Sequence, residues 1–173
     1  MTTHPAITLV LGGARSGKSS FAEKLVLKSA LQPVYLATAQ ALDHEMHERI
    51  AHHRQQRGAM WQTVEEPIDL VSALMRHSTA ENHILVDCLT LWITNLMMQE
   101  LDIATQINVL IEALPKLAGP VVFVSNEVGL GIVPDNRLSR EFRDQAGFLH
   151  QKVAAIADEV YFMAAGLSLK MKG

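Results

Sequence analysis

The sequence predicts an α/β fold: a doubly wound, mostly parallel sheet with helices on both faces. Three observations carry this. Short runs that are apolar at almost every position alternate with longer amphipathic runs, and strands apolar on both faces need helices on both. The stretch Gly12–Ser19 is a glycine-rich turn between such a strand and such a helix. No Pro-, Gly- or Ser-rich linker interrupts the 173 residues, so one domain spanning 1–173 is expected.

The elements follow in order. Ala6 to Leu11 (AITLVL) reads as a buried strand. A helix is expected from Gly17 to about Ala30, with Phe21, Leu25 and Lys28 along one side. Pro33 to Ala37 (PVYLA) reads as a second strand. Leu42 to about Arg57 forms a polar helix with a thin stripe of Met46, Ile50 and His53, and Ile68 to Met75 a short amphipathic one. His83 to Asp87 (HILVD) is a third strand, ending in a carboxylate. Helices are expected over Leu89–Glu100 and Ile103–Leu114, the second stopped by Pro115. Pro120 to Ser125 (PVVFVS) is a fourth strand. Asp135 stands where an N-cap belongs, before a helix running to about Ala157. Val160 to Met163 is a fifth strand.

The composition excludes several classes. Apolar residues make up 49% and charged residues 19%, a globular balance. A net charge of −3 gives no general attraction to nucleic acid or anionic membrane. No apolar run approaches the length needed to span a bilayer, and the first residues lack the pattern of a signal peptide. The lone cysteine, Cys88, allows no internal disulfide. A cytoplasmic protein is expected, with Cys88 a buried bystander.

Gly12, Gly13, Ala14, Arg15, Ser16, Gly17, Lys18 and Ser19 match G-x-x-x-x-G-K-[ST], with a buried strand before and a helix after. The glycines let backbone N–H groups turn inward toward phosphate oxygens, and the helix N-terminus adds partial positive charge. Lys18 reaches the outer phosphates of ATP or GTP, and the Ser19 hydroxyl is a ligand for Mg2+. A RecA-like P-loop NTPase is therefore expected. Asp87 ends its strand on the side where parallel sheets bind ligands, which makes it the candidate acidic partner of the metal. Its alternative role is to cap the helix beginning near Leu89.

His44, His47, His52 and His53 fall within ten positions of one polar helix. The spacing is not H-E-x-x-H, because position 48 is Glu48, and the one cysteine is distant, so zinc is poorly supported. Neutral imidazole can also attack phosphorus, and Glu48 stands one turn before His52, where it could orient the ring. From the residues alone, nucleophilic catalysis and a solvated helix face both stay open.

Further stretches follow in order: Tyr35-Leu36-Ala37-Thr38, Glu45-Met46-x-x-Arg49-Ile50-x-His52-His53, Trp61-x-Thr63-x-Glu65, Ser125-Asn126-Glu127-Val128-Gly129-x-Gly131-Ile132-Val133-Pro134, Arg137-Leu138-x-Arg140-x-Phe142-Arg143-Asp144 and Ala157-Asp158-Glu159-Val160. Together with the P-loop they resemble the bifunctional adenosylcobinamide kinase / adenosylcobinamide-phosphate guanylyltransferase family of cobalamin biosynthesis, over nearly the whole chain. The resemblance implies phosphorylation of adenosylcobinamide, then transfer of GMP from GTP through a GMP-histidine, which matches His52. It further implies GTP contacts from the P-loop, Leu36, Ala37, Thr38, His53, Arg54, Gln55, Gln56, Glu65 and Asp87, and a homotrimer, for which Leu89 to Met98 offers apolar helix surface. His44 departs from the acidic residue the family often carries there. A simple P-loop kinase for another small hydroxyl substrate and a non-catalytic nucleotide-binding regulator are the competing readings.

Asn126 to Pro134 follows the fourth strand and is expected at the same crevice, where Gly129 and Gly131 would let backbone approach a ligand. Arg137, Arg140 and Arg143 begin the long helix; either a phosphate-binding finger or solvated charges would fit them.

Overall fold

The computed structural model describes residues 5–40 and 58–173. The expected helix from Leu42 to Arg57, and with it His44, His47, His52, His53, Arg54, Gln55 and Gln56, lies outside the described residues.

Strand β1 (Ile7–Gly12) is buried at all six positions and runs through the P-loop into α1 (Lys18–Leu27). Next come β2 (Gln32–Ala37), β3 (Gln62–Glu65) and α2 (Leu70–His77), then β4 (Asn82–Asp87), α3 (Leu89–Met98) and α4 (Ile103–Ala113). Strand β5 (Val121–Asn126), α5 (Arg137–Ile156), β6 (Glu159–Ala164) and β7 (Leu167–Lys172) complete the order. One sheet contains all seven strands of the described residues in the order β3-β2-β4-β5-β1-β6-β7. All neighbours are parallel except β6 and β7, which pair antiparallel.

The sheet divides two cores. On one face Leu9, Leu36, Val86 and Phe123 pack with α2, α3, α4 and α5 through Leu74, Trp92, Leu110 and Leu149. On the other, Val10, Leu85 and Val124 pack with Ala22 and Val26 of α1. Helices thus cover both faces, as the continuous apolar strands require.

The structure departs from the sequence reading in several places. Strands β3 and β7 are additional, one at each edge of the sheet. The N-cap of α5 is Asn136, not Asp135: the Asn136 Oδ1 accepts the Ser139 N–H at 2.8 Å. Pro115 lies within a 3₁₀ turn, Leu114–Lys116, that follows α4. The apolar residues of α3 do not form a free surface: Leu89, Trp92, Ile93 and Leu96 are fully buried in the core, and only Met98 of its large apolar residues is exposed.

Candidate active site

The parallel strands bring their carboxyl ends to one edge. Gly12 is in register with Asn126 of β5 on one side and Met163 of β6 on the other. The P-loop therefore rises between the ends of β5 and β6. Gly17, at the N-cap of α1, has φ of 91°, a left-handed conformation that favours glycine. A side chain there would also bring its Cβ to 3.2 Å from the Gly166 Cα. The Gly166 N–H donates to the Ser16 carbonyl at 3.0 Å, so the β6–β7 turn holds the loop from behind.

Lys18 folds back over this loop. Its ammonium donates to the Gly13 carbonyl at 2.5 Å and approaches the Ser16 hydroxyl at 3.5 Å. Burial pulls the ammonium pKa below its ordinary value, and the negative charge of Asp87 opposes that shift. A cavity of about 280 Å3 is lined by Arg15, Ser16, Gly17, Lys18, Ser19 and Ser20. Loop amides, one ammonium and a helix N-terminus meet there, a combination suited to polyphosphate.

The Ser19 hydroxyl donates to Asp87 Oδ2 at 2.9 Å, and the Tyr35 hydroxyl donates to the same oxygen at 3.0 Å. Asp87 therefore faces the P-loop. It does not cap α3, whose N-cap is Cys88, with no side-chain cap bond. A hydroxyl and a carboxylate oxygen are hard donors of the type Mg2+ takes, so Ser19 and Asp87 fit that ion. Among the described residues no group of three or more His, Cys, Asp or Glu could hold a metal. Cys88 is buried, its thiol pKa pushed up to about 11 by burial and then by Asp87.

The other expected GTP contacts are distributed unevenly. Leu36, Ala37 and Thr38 lie at the end of β2, beside β4, and all three are buried. The Thr38 hydroxyl is committed inward: it donates to the Cys88 carbonyl at 2.7 Å and accepts the Cys88 N–H at 2.9 Å. Asn95 donates to the Thr38 carbonyl at 2.8 Å. Thr38 thus ties β2 to the turn after Asp87. Glu65 ends the edge strand β3 with its side chain exposed, level with Ala37.

The segment after β5 reaches the same edge. The Glu127 N–H donates to the Gly12 carbonyl at 2.9 Å, and Glu127 Oε1 accepts the Gly129 N–H. A Cβ on Gly129 would stand 2.9 Å from that carboxylate oxygen, so the close approach at Gly129 is to Glu127 itself. A second cavity, of about 320 Å3, opens between Gly13–Ser16 on one wall and Glu127, Leu130, Phe162 and Met163 on the other. Arg140 is occupied with this loop, donating to the carbonyls of Pro134 and Asp135 at 2.8 and 2.7 Å. Arg143 pairs with neighbouring Asp144 at 2.9 Å.

Sequence reasoning missed three participants. Tyr35 belongs to a stretch that carries the family resemblance, but its contact with Asp87 gave no signal, since a tyrosine inside an apolar strand reads as core. Gly166 could have been found from the Ala-Gly turn before the alternating run LSLKMK. His150 on α5 lies 2.6 Å from the buried Ser125 hydroxyl, a pairing only the fold creates. Burial lowers the His150 pKa, and Glu127 opposes the shift.

Phosphate loop, lysine, hydroxyl and carboxylate stand on a parallel sheet with β5 inserted between the P-loop strand and the Asp87 strand. These features define a P-loop nucleotide-binding protein of the α/β class. Residues 8–171 match the family model described as cobinamide kinase / cobinamide phosphate guanyltransferase, and the chain belongs to that family. It is similar to the bifunctional adenosylcobalamin biosynthesis protein CobP of Pseudomonas aeruginosa, with 50% identity over 169 residues, 95% of this chain and 96% of the relative. The corresponding CobU protein of Salmonella typhimurium is 42% identical over 179 residues, covering 95% of this chain and 98% of the relative. Among solved structures, the flagellar accessory protein FlaH from Methanocaldococcus jannaschii superposes with a TM-score of 0.53 and 12% identity. It covers 98% of this chain and 79% of FlaH, a likeness of fold alone.

Proposed function

We propose that this chain phosphorylates the aminopropanol hydroxyl of adenosylcobinamide from ATP or GTP. It then transfers GMP from GTP to the new phosphate through a GMP-histidine at His52. The products are adenosylcobinamide-GDP and pyrophosphate. The observation that carries this reading is the Ser19–Asp87 contact of 2.9 Å beside the buried Lys18, in a chain of the cobinamide kinase / cobinamide phosphate guanyltransferase family.

Each residue has a physical task. The P-loop N–H groups and the α1 N-terminus hold phosphate oxygens in place. Lys18 releases its intraloop acceptors and donates to the outer phosphates, where charge grows in the transition state. Ser19 and Asp87 would hold Mg2+, which neutralises charge on the departing phosphates when bound. In guanylyl transfer an imidazole nitrogen of His52 bonds to the α-phosphorus while its bond to the pyrophosphate oxygen breaks. The acceptor phosphate then displaces the imidazole. Backbone of Leu36–Thr38, together with His53, Arg54, Gln55, Gln56 and Glu65, completes the proposed GTP contacts.

We place the whole chain in one domain, in the cytoplasm, acting as a homotrimer with neither nucleic acid nor membrane as partner. No helix among the described residues is long and apolar enough to cross a membrane. The exposed Leu167, Leu169 and Met171 on β7 supply an apolar surface for a subunit contact. Incubation with GTP and Mg2+, followed by intact-mass measurement, tests the central step: a mass increase of one GMP, with pyrophosphate released, is expected. An unlabelled protein that still consumes ATP with a small hydroxyl acceptor would indicate a simple kinase.

A further inference from the structure

The proposed function gives Tyr35 no task, although its hydroxyl donates to the Asp87 carboxylate at 3.0 Å. Strand parity explains how the two meet. Tyr35 is in register with Leu85 of the neighbouring parallel strand β4. Asp87 follows Leu85 by two positions, so Tyr35, Leu85 and Asp87 share one face of the sheet. That face carries α1, whose first turn supplies Ser19. Asp87 is thus reached by one hydroxyl from the sheet and one from the helix. The tyrosine ring is itself held. Tyr35 and Trp61 are both buried and meet edge-on, with ring centroids 6.1 Å apart and planes at 84°. A ring packed in this way has little freedom, so its hydroxyl is a fixed point for the carboxylate.

The carboxylate has a competing partner. Asp87 is close enough to Lys18 to act on its charge, yet the ammonium donates to the Gly13 carbonyl and approaches the Ser16 hydroxyl. A close pair between Lys18 and Asp87 would occupy the lysine that phosphate needs and the carboxylate that a cation needs. Ser19 and Tyr35 both donate to Oδ2 of Asp87, and neither takes Oδ1. Two hydroxyl donors on one ionised oxygen fix the plane of the carboxylate. We propose that Tyr35 is a positioning residue for the metal–nucleotide complex, its hydroxyl fixing Asp87 beside Ser19 for the cation. This rests on the function proposed above, in which Ser19 and Asp87 hold Mg2+. Tyr35 acts through Asp87 and needs no contact of its own with metal or phosphate. Partners of this kind orient a metal-binding carboxylate and tune its affinity.

Tyr35→Phe keeps the ring and removes the hydroxyl. Mn2+ binding to the complex with α,β-methylene GTP, read by electron paramagnetic resonance, is expected to weaken by ~10-fold. In an Asp87→Ala background the same substitution is expected to add nothing, since a residue that acts through a partner loses its effect when the partner is gone. A second measurement uses the parent chain. The sequence has two tyrosines, Tyr35 and Tyr161, so labelling with meta-fluorotyrosine gives two fluorine resonances, assigned with Tyr161→Phe. The Tyr35 resonance is expected to move when Mg2+ is added to the nucleotide complex, and to stay in place in Asp87→Ala. Unchanged Mn2+ affinity in Tyr35→Phe would overturn the assignment. So would an equal loss with and without the Asp87 carboxylate, which would make the effect one of packing. A Tyr35 resonance indifferent to Mg2+ would overturn it whatever the stability of the variant. A parent that binds the nucleotide but no Mn2+ would overturn the reading of Ser19 and Asp87 as metal ligands, and the role of Tyr35 with it.

Discussion

The Ser19 hydroxyl and the Asp87 carboxylate, 68 positions apart in the chain, meet at 2.9 Å across the mouth of the sheet. The contact joins the first turn of α1 to the end of β4 and puts two hard oxygen donors side by side. Asp87→Asn keeps the shape and removes the charge. It is expected to weaken apparent magnesium affinity in turnover by ~10–100-fold, while nucleotide binding without metal changes little. Magnesium titrations of turnover, with circular dichroism to verify folding, check this. Superimposable titration curves for variant and parent would remove Asp87 from the proposed metal site.

Lys18 is buried, and its ammonium is held below its ordinary pKa mainly by burial. On the proposed function that cost is borne for phosphate binding rather than for packing. Lys18→Ala is expected to lower both activities by ~10²–10³-fold with a melting temperature equal to or above that of the parent. Near-normal turnover in either assay would contradict the phosphate role.

The parallel core was legible because Ile7–Leu11, Val34–Leu36, Ile84–Val86 and Val121–Val124 are apolar at nearly every position, which only strands covered on both faces require. The P-loop and Asp87 were legible because pattern and strand end coincide. Strand β3 was not: QTVE is four residues, polar at three, and its pairing to β2 is what makes it a strand. Strand β7 carried a readable alternation in LSLKMK, but all six residues are exposed, so no buried face marked it. The Asp135/Asn136 ambiguity is that of two good capping residues in succession, decided by which side chain reaches the Ser139 N–H. Tyr35 and Ser125–His150 depend on pairs brought together only by sheet order.

The Gly166 N–H to Ser16 carbonyl bond makes the β6–β7 turn a support for the phosphate loop. Gly166 has φ of 77°, where a side chain costs roughly 1–2 kcal/mol, with Asn better tolerated. Gly166→Val is expected to raise KM for GTP by roughly 10-fold, and Gly166→Asn to restore most of it. Steady-state kinetics with thermal melts separate this from general damage, which would lower the melting temperature and leave KM alone.

His83 Nδ1 lies 2.9 Å from the Ser29 hydroxyl, and burial lowers its pKa from 6.5 to about 4. Between those values the unfolded chain binds the proton that the folded chain refuses, so stability rises with pH. The contribution is complete above about pH 6.5 and is lost as pH falls toward 4. His150, also lowered by burial, acts in the same direction. His83→Gln is therefore expected to flatten, without abolishing, the acid limb of a plot of urea midpoint against pH. Parallel curves for variant and parent over that window would exclude the His83 contribution.

His52→Ala separates the two proposed activities. The proposed guanylyl transfer uses a nucleophile that bonds to the α-phosphorus of GTP and later leaves, and imidazole does both. Phosphoryl transfer to the cobinamide hydroxyl needs a held triphosphate, Lys18, the Ser19–Asp87 pair and a positioned acceptor, with no imidazole bond to phosphorus. The variant is expected to lose GMP labelling and adenosylcobinamide-GDP formation while keeping a measurable share of kinase turnover. His53→Ala should still be labelled. The adduct on the parent should form from GTP with release of pyrophosphate and should be labile to acid and stable to base, as a phosphoramidate is. Labelling retained by His52→Ala and lost by His53→Ala would move the nucleophile one position along the chain. No labelling of the parent under any condition would leave a kinase without a guanylyltransferase.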